Sequence, residues 1–367
     1  MARTTIDFGI DLGTTNSSVA VNAGMEPRVV KNNVGAEYTP SAVWIDKKGN
    51  VLVGAPAKER LEADPENARS EFKRQMGTAR RESLPRSGRE WGPVDLSAEV
   101  LKALKGDVRK SLGEEMAAAV ITVPAAFEMP QNEATKQAAK LAGLDPVFLL
   151  QEPVAAALAY GFQKEVRRAY WLVFDLEDGT FDAAILQVRD GQVQVVNHGG
   201  DNLLGGRDID WRIVEDLLIP QVKSERRVSG LARGNQRFLG AVAKLKAKAE
   251  EAKIRLSREE SVEISIPYLC NDDEGVPVEF EYELARKDVE RLASPIALQA
   301  AAICRRVLSE KRLDPGAIDR VVLVGGPTLM PILREILEDK REGLGIPLDF
   351  SVDPLTVVAK GAAIFAG

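Results

Sequence analysis

Cysteine and histidine are scarce in this chain. Cys270 and Cys304 stand far apart, and His198 is the only histidine. A disulfide framework and a zinc site built on thiolates or imidazoles are thereby excluded. No run of about 18 apolar residues is present to span a bilayer, and Met-Ala-Arg-Thr-Thr leads into an apolar strand without the pattern of a signal peptide. Positive charge is not in excess: 49 Lys and Arg against 55 Asp and Glu give a net charge of -6 and a pI of ≈ 5.3. That is the wrong sign for a nucleic-acid partner. The basic run from Lys244 to Lys248 alternates with apolar residues and is followed by acids, so it reads as a solvated helix face. Trp44, Trp91, Trp171 and Trp211 are scattered and read as packing rather than as a stacking platform. These absences point to a globular chain of a reducing cytoplasm, with neither nucleic acid nor membrane as its partner.

What is present is repetition. The 367 residues are too many for one compact core and suggest two lobes or more. FGIDLGTTNSSVAV at 8–21 and FDLEDGTFDAAILQ at 174–187 are each a strand ending in Asp-Leu, a polar turn with Gly and Thr, and a second strand. AVITVPA before a helix near Gln131 pairs with RVVLVGGPT before a helix near Pro331. QEPVAAALAYG at 151–161 pairs with VDPLTVVAKGAAIFAG at 352–367, where an acid and a proline open a small-residue helix. Three pairs in the same order predict an α/β chain built as a duplicated two-lobe architecture, with the polar turns facing a shared cleft. The expected division is 1–39 and 98–169 for the core of lobe I, and 170–204 and 301–352 for that of lobe II. Insertions at 40–97 and 205–300 would form small subdomains, and 353–367 would be a helix returning to lobe I. The stretch RESLPRSGREWGPVD in the first insertion reads as loose, and the second carries a long helix near 236–258 and two β-rich pieces.

The polar turns carry the chemistry. In Asp11-Leu12-Gly13-Thr14-Thr15-Asn16, glycine permits close backbone approach, successive amides form a nest for anions, and the threonine hydroxyls add donors. The same string also suits an ordinary hairpin turn. Asp175, Gly179 and Thr180 would face it from the second turn, and Glu152 opens a helix beside them. Asp11, Glu152 and Asp175 together form the type of set that orders a metal and a water for phosphoryl transfer, although Glu152 alone also suits the helix macrodipole. Gly325-Gly326 between strand and helix allows approach to a flat ligand or close packing. Glu250, Lys253 and Ser257 share one helix face and could bond a ribose and a base, or form a solvated stripe. His198 could act as a general base, but it has no acid-base partner by motif and reads far more readily as a loop or strand-end residue.

These strings resemble one family. GIDLGTTNS at 9–17, ITVPAAF at 121–127, QEPVAAALAYG, EEAKIRLS at 250–257 and VVLVGG at 321–326 are similar to the ATPase domain of DnaK-type chaperones, the seventy-kilodalton heat-shock family, in that family's order and spacing. The resemblance implies an actin-like ATPase fold that binds ATP or ADP with Mg²⁺. Asp11, Glu152 and Asp175 would hold the Mg²⁺, mostly through water. Lys73 would position the attacking water, with Thr180 near the last phosphate. Gly13, Thr14, Thr15, Asn16, Gly179, Gly205 and Gly206 would contact phosphates. Glu250, Lys253, Ile254 and Ser257 would grip the nucleoside, with Gly325, Gly326 and Leu329 behind the base. It also implies J-domain and nucleotide-exchange partners, and a client peptide held by a β-rich substrate domain that these 367 residues do not contain.

The departures from that pattern are specific. The second turn reads DLEDGTFD where the family has DLGGGTFD, so Glu177 and Asp178 replace glycines. If those positions required positive φ, both would be strained. A carboxylate about 5 Å from a phosphate charge would cost about 3 kcal/mol at an effective dielectric near 20, unless the side chains turn away. Leu329 replaces an arginine that stacks on adenine, which removes the cation-π contribution. Pro327 replaces a serine, Leu355 an aspartate near the nucleoside, and Asn132 an arginine that couples lobes to partners. The expected function is therefore an ATP-gated chaperone switch in which hydrolysis is more exposed to damage than binding. A degenerate scaffold that binds nucleotide weakly or without turnover is the alternative. A small-molecule kinase of the same fold would need a base aligned to a substrate hydroxyl, and no such motif is found.

Overall fold

The computed structural model describes residues 6–24, 26–161, 168–189 and 192–367. Two mixed sheets form its framework. In the first, Phe8–Leu12 runs antiparallel to Asn16–Asn22 and parallel to Ala119–Val123; Val147–Gln151 and Pro27–Val29 extend the two sides. In the second, Arg168–Leu176 runs antiparallel to Phe181–Arg189 and parallel to Arg320–Val324, with Gln192–Asp201 and Leu348–Asp349 beyond them. Both five-strand paths have the same order and polarity. Their central parallel strands are aliphatic runs because helices or neighbouring layers cover both faces; Ala119–Val123 is buried at every position. The strand ends matter for the site. Asp11, Asp175 and Gly325 all sit at or just past the carboxyl ends of central strands, where open α/β sheets take their ligands.

Two helices of small residues lock against the first sheet and each other. Glu152–Ala159 buries Ala155, Ala156 and Ala157, and Val357–Ala366 buries Ala359, Gly361, Ala362 and Ala363. A Cβ on Gly361 would stand 1.7 Å from the Ala155 carbonyl oxygen, and one on Gly9 would stand 2.1 Å from the Ala363 nitrogen. Backbone therefore meets backbone at both places, and only glycine fits. The last helix begins at Val357 rather than at the Asp353-Pro354 pair that the sequence suggested. The reason is local competition: the Pro354 carbonyl accepts from Gly325 N at 3.0 Å, and Asp353 accepts from Leu355 N through its side chain at 3.0 Å and from Thr356 N through its carbonyl at 3.2 Å. The segment is spent on a turn that backs the Gly325-Gly326 loop.

The insertions also differ in part from expectation. RESLPRSGREWGPVD is not loose: Glu82–Leu84 and Arg89–Trp91 pair as a small antiparallel hairpin. Gly88 closes its tip at φ 67. Trp91 is buried and donates from Nε1 to Ser87 Oγ at 2.8 Å. The long helix of the second insertion spans Leu239–Leu256 and buries Ala241, Val242, Leu245, Ala249, Ala252 and Leu256 at helical spacing. The β-rich pieces form the hairpin Ser261–Asn271 and Pro277–Ala285 under it.

Candidate functional site

Each turn is built by its own hydrogen bonds. In the first, a Cβ on Gly13 would lie 2.0 Å from the Asn16 carbonyl, so glycine alone allows this bend. Ser41 Oγ donates to the Gly13 carbonyl at 2.8 Å and braces it. Thr14 is buried, and Thr15 Oγ1 and Asn16 Oδ1 are buried without hydrogen-bond partners. In the second turn, Glu177 N donates to the Thr180 carbonyl at 3.0 Å. Neither Glu177 nor Asp178 adopts positive φ, so the two replaced glycines cost the backbone nothing. The helix Gly206–Arg212 begins behind this turn. Gly206 N and Arg207 N donate to the carbonyls of Glu177 and Asp178 at 2.9 and 2.6 Å. A Cβ on Gly205 would stand 2.3 Å from the Asp178 carbonyl. Gly205 and Gly206 thus support the turn from behind.

Between the turns lies a buried group of acids. Lys73 Nζ donates to Glu152 Oε1 at 2.5 Å, and Asp11 Oδ1 accepts from Thr122 Oγ1 at 3.3 Å. Asp175 Oδ1 and Glu177 Oε2 are buried and unpartnered. Asp182 pairs with Asp175 across the hairpin and faces the same group. Burial, followed by the charge of Glu152, pushes Asp11 up to about 7 and Asp182 up to about 6. Burial and then Asp11 push Glu177 up to about 8, and burial with Glu177 beside it holds Asp175 well above the carboxylate range. Lys73 is pulled down by burial, but Glu152, Asp11 and Glu177 outweigh this and keep it charged.

Such a site asks for a further cation, because several carboxylates share one lysine. Among the described residues no three His, Cys, Asp or Glu side chains converge closely enough to ligate a metal directly. The orphaned Asp175 oxygen and the buried Asp11 therefore fit a hydrated divalent ion held mainly through its waters, as Mg²⁺ is. A cavity of ≈ 20 Å³, about the size of one water, adjoins Glu152, Asp175 and Asp182 and reaches His198. His198 lies exposed on Gln192–Asp201, opposite Ala184.

Acids raised in this way keep protons that the unfolded chain has lost, and stability then falls as pH rises from the unfolded values near 4 through the folded ones. Without divalent cation or nucleotide, the melting temperature is expected to drop by several degrees between about pH 5.5 and pH 8.5, since each retained proton is worth about 1.4 kcal/mol per unit. Glu177→Gln should flatten that decline. A melting temperature that climbs with pH in thermal scans would contradict this picture of the acids.

A cavity of ≈ 530 Å³ opens from the acids outward. Asp11, Asn16 and Glu177 line it together with Glu250, Lys253, Ile254, Ser257, Gly325, Gly326 and Leu329. Lys253 is held: its Nζ pairs with Asp210 at 2.8 Å and donates to the Gly206 carbonyl at 3.0 Å. Glu250 meets Lys58 of the first insertion at 2.5 Å, and although burial works against it, Lys58 keeps its carboxyl below the usual range. On the far side, Glu71 pairs with Arg207, and Arg74 donates to the Gly179 carbonyl. Leu329 and Leu355 add apolar surface to the lining. Arg334, which donates to the Thr328 carbonyl at 2.9 Å and lies 4.1 Å over Phe350, also lines the cavity.

Motif reading missed Asp182, Lys58, Asp210 and Arg334. For Asp182 the signal was present, as the last residue of DLEDGTFD; the other three belong to no string that pointed at the cavity. The remaining expected residues, from Asp11 through Leu329, gather on this cavity or on the turns and buried acids beside it.

Residues 7–87 and 81–367 match the family model described as Hsp70 protein. The chain belongs to the Hsp70 family. It is 38% identical over 371 residues to the chaperone protein DnaK of Methanothermobacter thermautotrophicus, an alignment that covers 100% of this chain and 60% of that protein. It is 39% identical over 380 residues to a chaperone protein dnaK of Emiliania huxleyi, covering 98% and 59%. The chain thus spans about three-fifths of the length of these Hsp70-family relatives. Among the described residues no helix is long and apolar enough to cross a membrane.

Proposed function

We propose that this Hsp70-family chain is the nucleotide switch of a chaperone, with an actin-like two-lobed fold that closes on ATP or ADP with Mg²⁺. The observation that carries the reading is that one cavity is lined both by Asp11 and Glu177 of the buried acid group and by Ile254, Gly326 and Leu329, while the orphaned Asp175 oxygen lies in the same acid group. Asp11, Glu152 and Asp175 would hold Mg²⁺, which supplies charge neutralisation for phosphoryl transfer. The amides of the Gly13–Asn16 and Gly179–Thr180 turns would donate to phosphates, with the helix behind Gly205 and Gly206 fixing their direction. Lys73, fixed by Glu152, would orient the attacking water, and Glu152 would stand ready to accept its proton. Ser257 would bond the base, and Glu250 and Lys253 would sit along the ribose.

Domain closure would then be read by a substrate domain outside these residues, by a J-domain protein and by a nucleotide-exchange factor, in the cytoplasm. A second reading, nucleotide bound with little turnover, is favoured by the inward carboxylate of Glu177. Calorimetric titration with ATP and ADP in Mg²⁺, followed by phosphate release on the same sample, tests both. Binding with slow release is expected. Binding without release selects the second reading, and no binding of either nucleotide overturns both.

A further inference from the structure

Glu177 reaches from the second turn toward the first. Its Oε1 lies 3.3 Å from the point where a Cβ on Gly13 would stand. Its Oε2 is buried without a partner, and the side chain lines the large cavity together with Asp11. The backbone beneath is fixed at both ends, N to the Thr180 carbonyl and O from Gly206 N. The same cavity is lined by Ile254, Gly326 and Leu329, so on the nucleotide reading a base held by these residues directs the phosphates toward Asp11 and the Gly13 turn. We propose that the Glu177 carboxylate stands in the terminal-phosphate position and makes this a site that selects nucleoside diphosphates over triphosphates. This rests on the nucleotide reading given above.

Space and charge act in the same direction. A carboxylate and a phosphoryl group cannot share the space above Gly13. In its charged form the Glu177 side chain, about 5 Å from a phosphate at an effective dielectric near 20, would add a repulsion equal to about a hundredfold in affinity; burial keeps it largely protonated when no nucleotide is bound, so space is the first cause of the exclusion. Lys73, which Glu152 already holds at 2.5 Å, offsets this only in part. Asp178 adds little to the penalty: it turns the other way, 4.0 Å from Lys253 Nζ and beside Gly206. A diphosphate is the complementary ligand. It ends short of Gly13, and a hydrated Mg²⁺ brought with it would find two unpartnered acceptors, Glu177 Oε2 and Asp175 Oδ1.

The test is calorimetric titration of the full chain with Mg-ADP and with a Mg-bound non-hydrolysable ATP analogue, for the wild type, Glu177→Gln and Glu177→Gly. Thermal melting checks that each variant folds. The wild type is expected to bind the diphosphate about tenfold more tightly, rising toward about a hundredfold where Glu177 is charged. Glu177→Gln, which keeps the bulk without the charge, should retain the part of the preference due to space, and Glu177→Gly should bring the two affinities within a fewfold of each other. Equal affinities in the wild type, or a preference that survives both substitutions, would overturn the assignment while leaving the nucleotide site standing. Failure of the wild type and of both folded variants to bind either nucleotide would remove the nucleotide reading and this inference with it.

Discussion

Lys73→Ala is expected to lower phosphate release at saturating ATP by about a hundredfold or more, with a much smaller change in nucleotide affinity. The buried Lys73 ammonium donates to Glu152 and stands among Asp11, Glu177 and Asp182. Its removal frees Glu152 to turn and leaves these acids without the lysine. Breaking a buried pair in this way costs about 3–5 kcal/mol, so the metal-free variant should also melt well below the wild type. The double variant Lys73→Ala with Glu152→Gln separates the two effects. It should recover most of the lost stability, since the orphaned charge is gone, and none of the lost turnover. Phosphate-release assays and thermal scans on the three proteins decide this. Equal losses of affinity and turnover, or recovery of turnover in the double variant, would remove Lys73 from the chemistry.

Lys253→Met is expected to cost about 3–5 kcal/mol of stability, for a different reason. Lys253 is 4% exposed and Asp210 1% exposed, and their contact at 2.8 Å is continued by the Gly206 carbonyl. Asp210 is pushed up to about 6 by burial even with Lys253 present. With the lysine gone it must be buried neutral or stay charged at high cost. Adding Asp210→Asn should return more than half of the loss in chemical denaturation. If the single variant is as stable as the wild type, the pair carries no such strain. The same lysine lines the ligand cavity, so its substitution should also weaken nucleotide binding. Because both variants lack the Lys253 amine, the double variant should bind no better than the single one.

The turns, their hairpins and the helix opened by Glu152 could be read from strings, because each depends on a few adjacent residues: glycine at 13, aspartate at a strand end, proline at 153. The long helix and the β-rich pieces followed from periodicity. Side-chain direction could not be read. DLEDGTFD left open whether Glu177 and Asp178 turn outward, and the structure sends one toward Gly13 and the other toward Lys253. That outcome depends on Gly206, Lys253 and Lys73, which are remote in sequence. The contact of Lys58 with Glu250 spans a sequence separation of 192, beyond any local pattern. The hairpin at 82–91 was hidden by its charged, proline-containing composition; the buried Leu84 and Trp91 are what order it. At 353–356, an acid and a proline looked like a helix start, but their backbone groups are claimed by Gly325 and by their own turn.

The fit of the last helix over Gly9 and against Ala155 has a consequence for how the chain is made. Residues far apart in the sequence must meet before the first sheet is covered, and such non-local closure is slow. During synthesis the strand Phe8–Leu12 is made long before the helix that shields it, Val357–Ala366. Until then an apolar sheet face waits in the open, where it is prone to association with other chains.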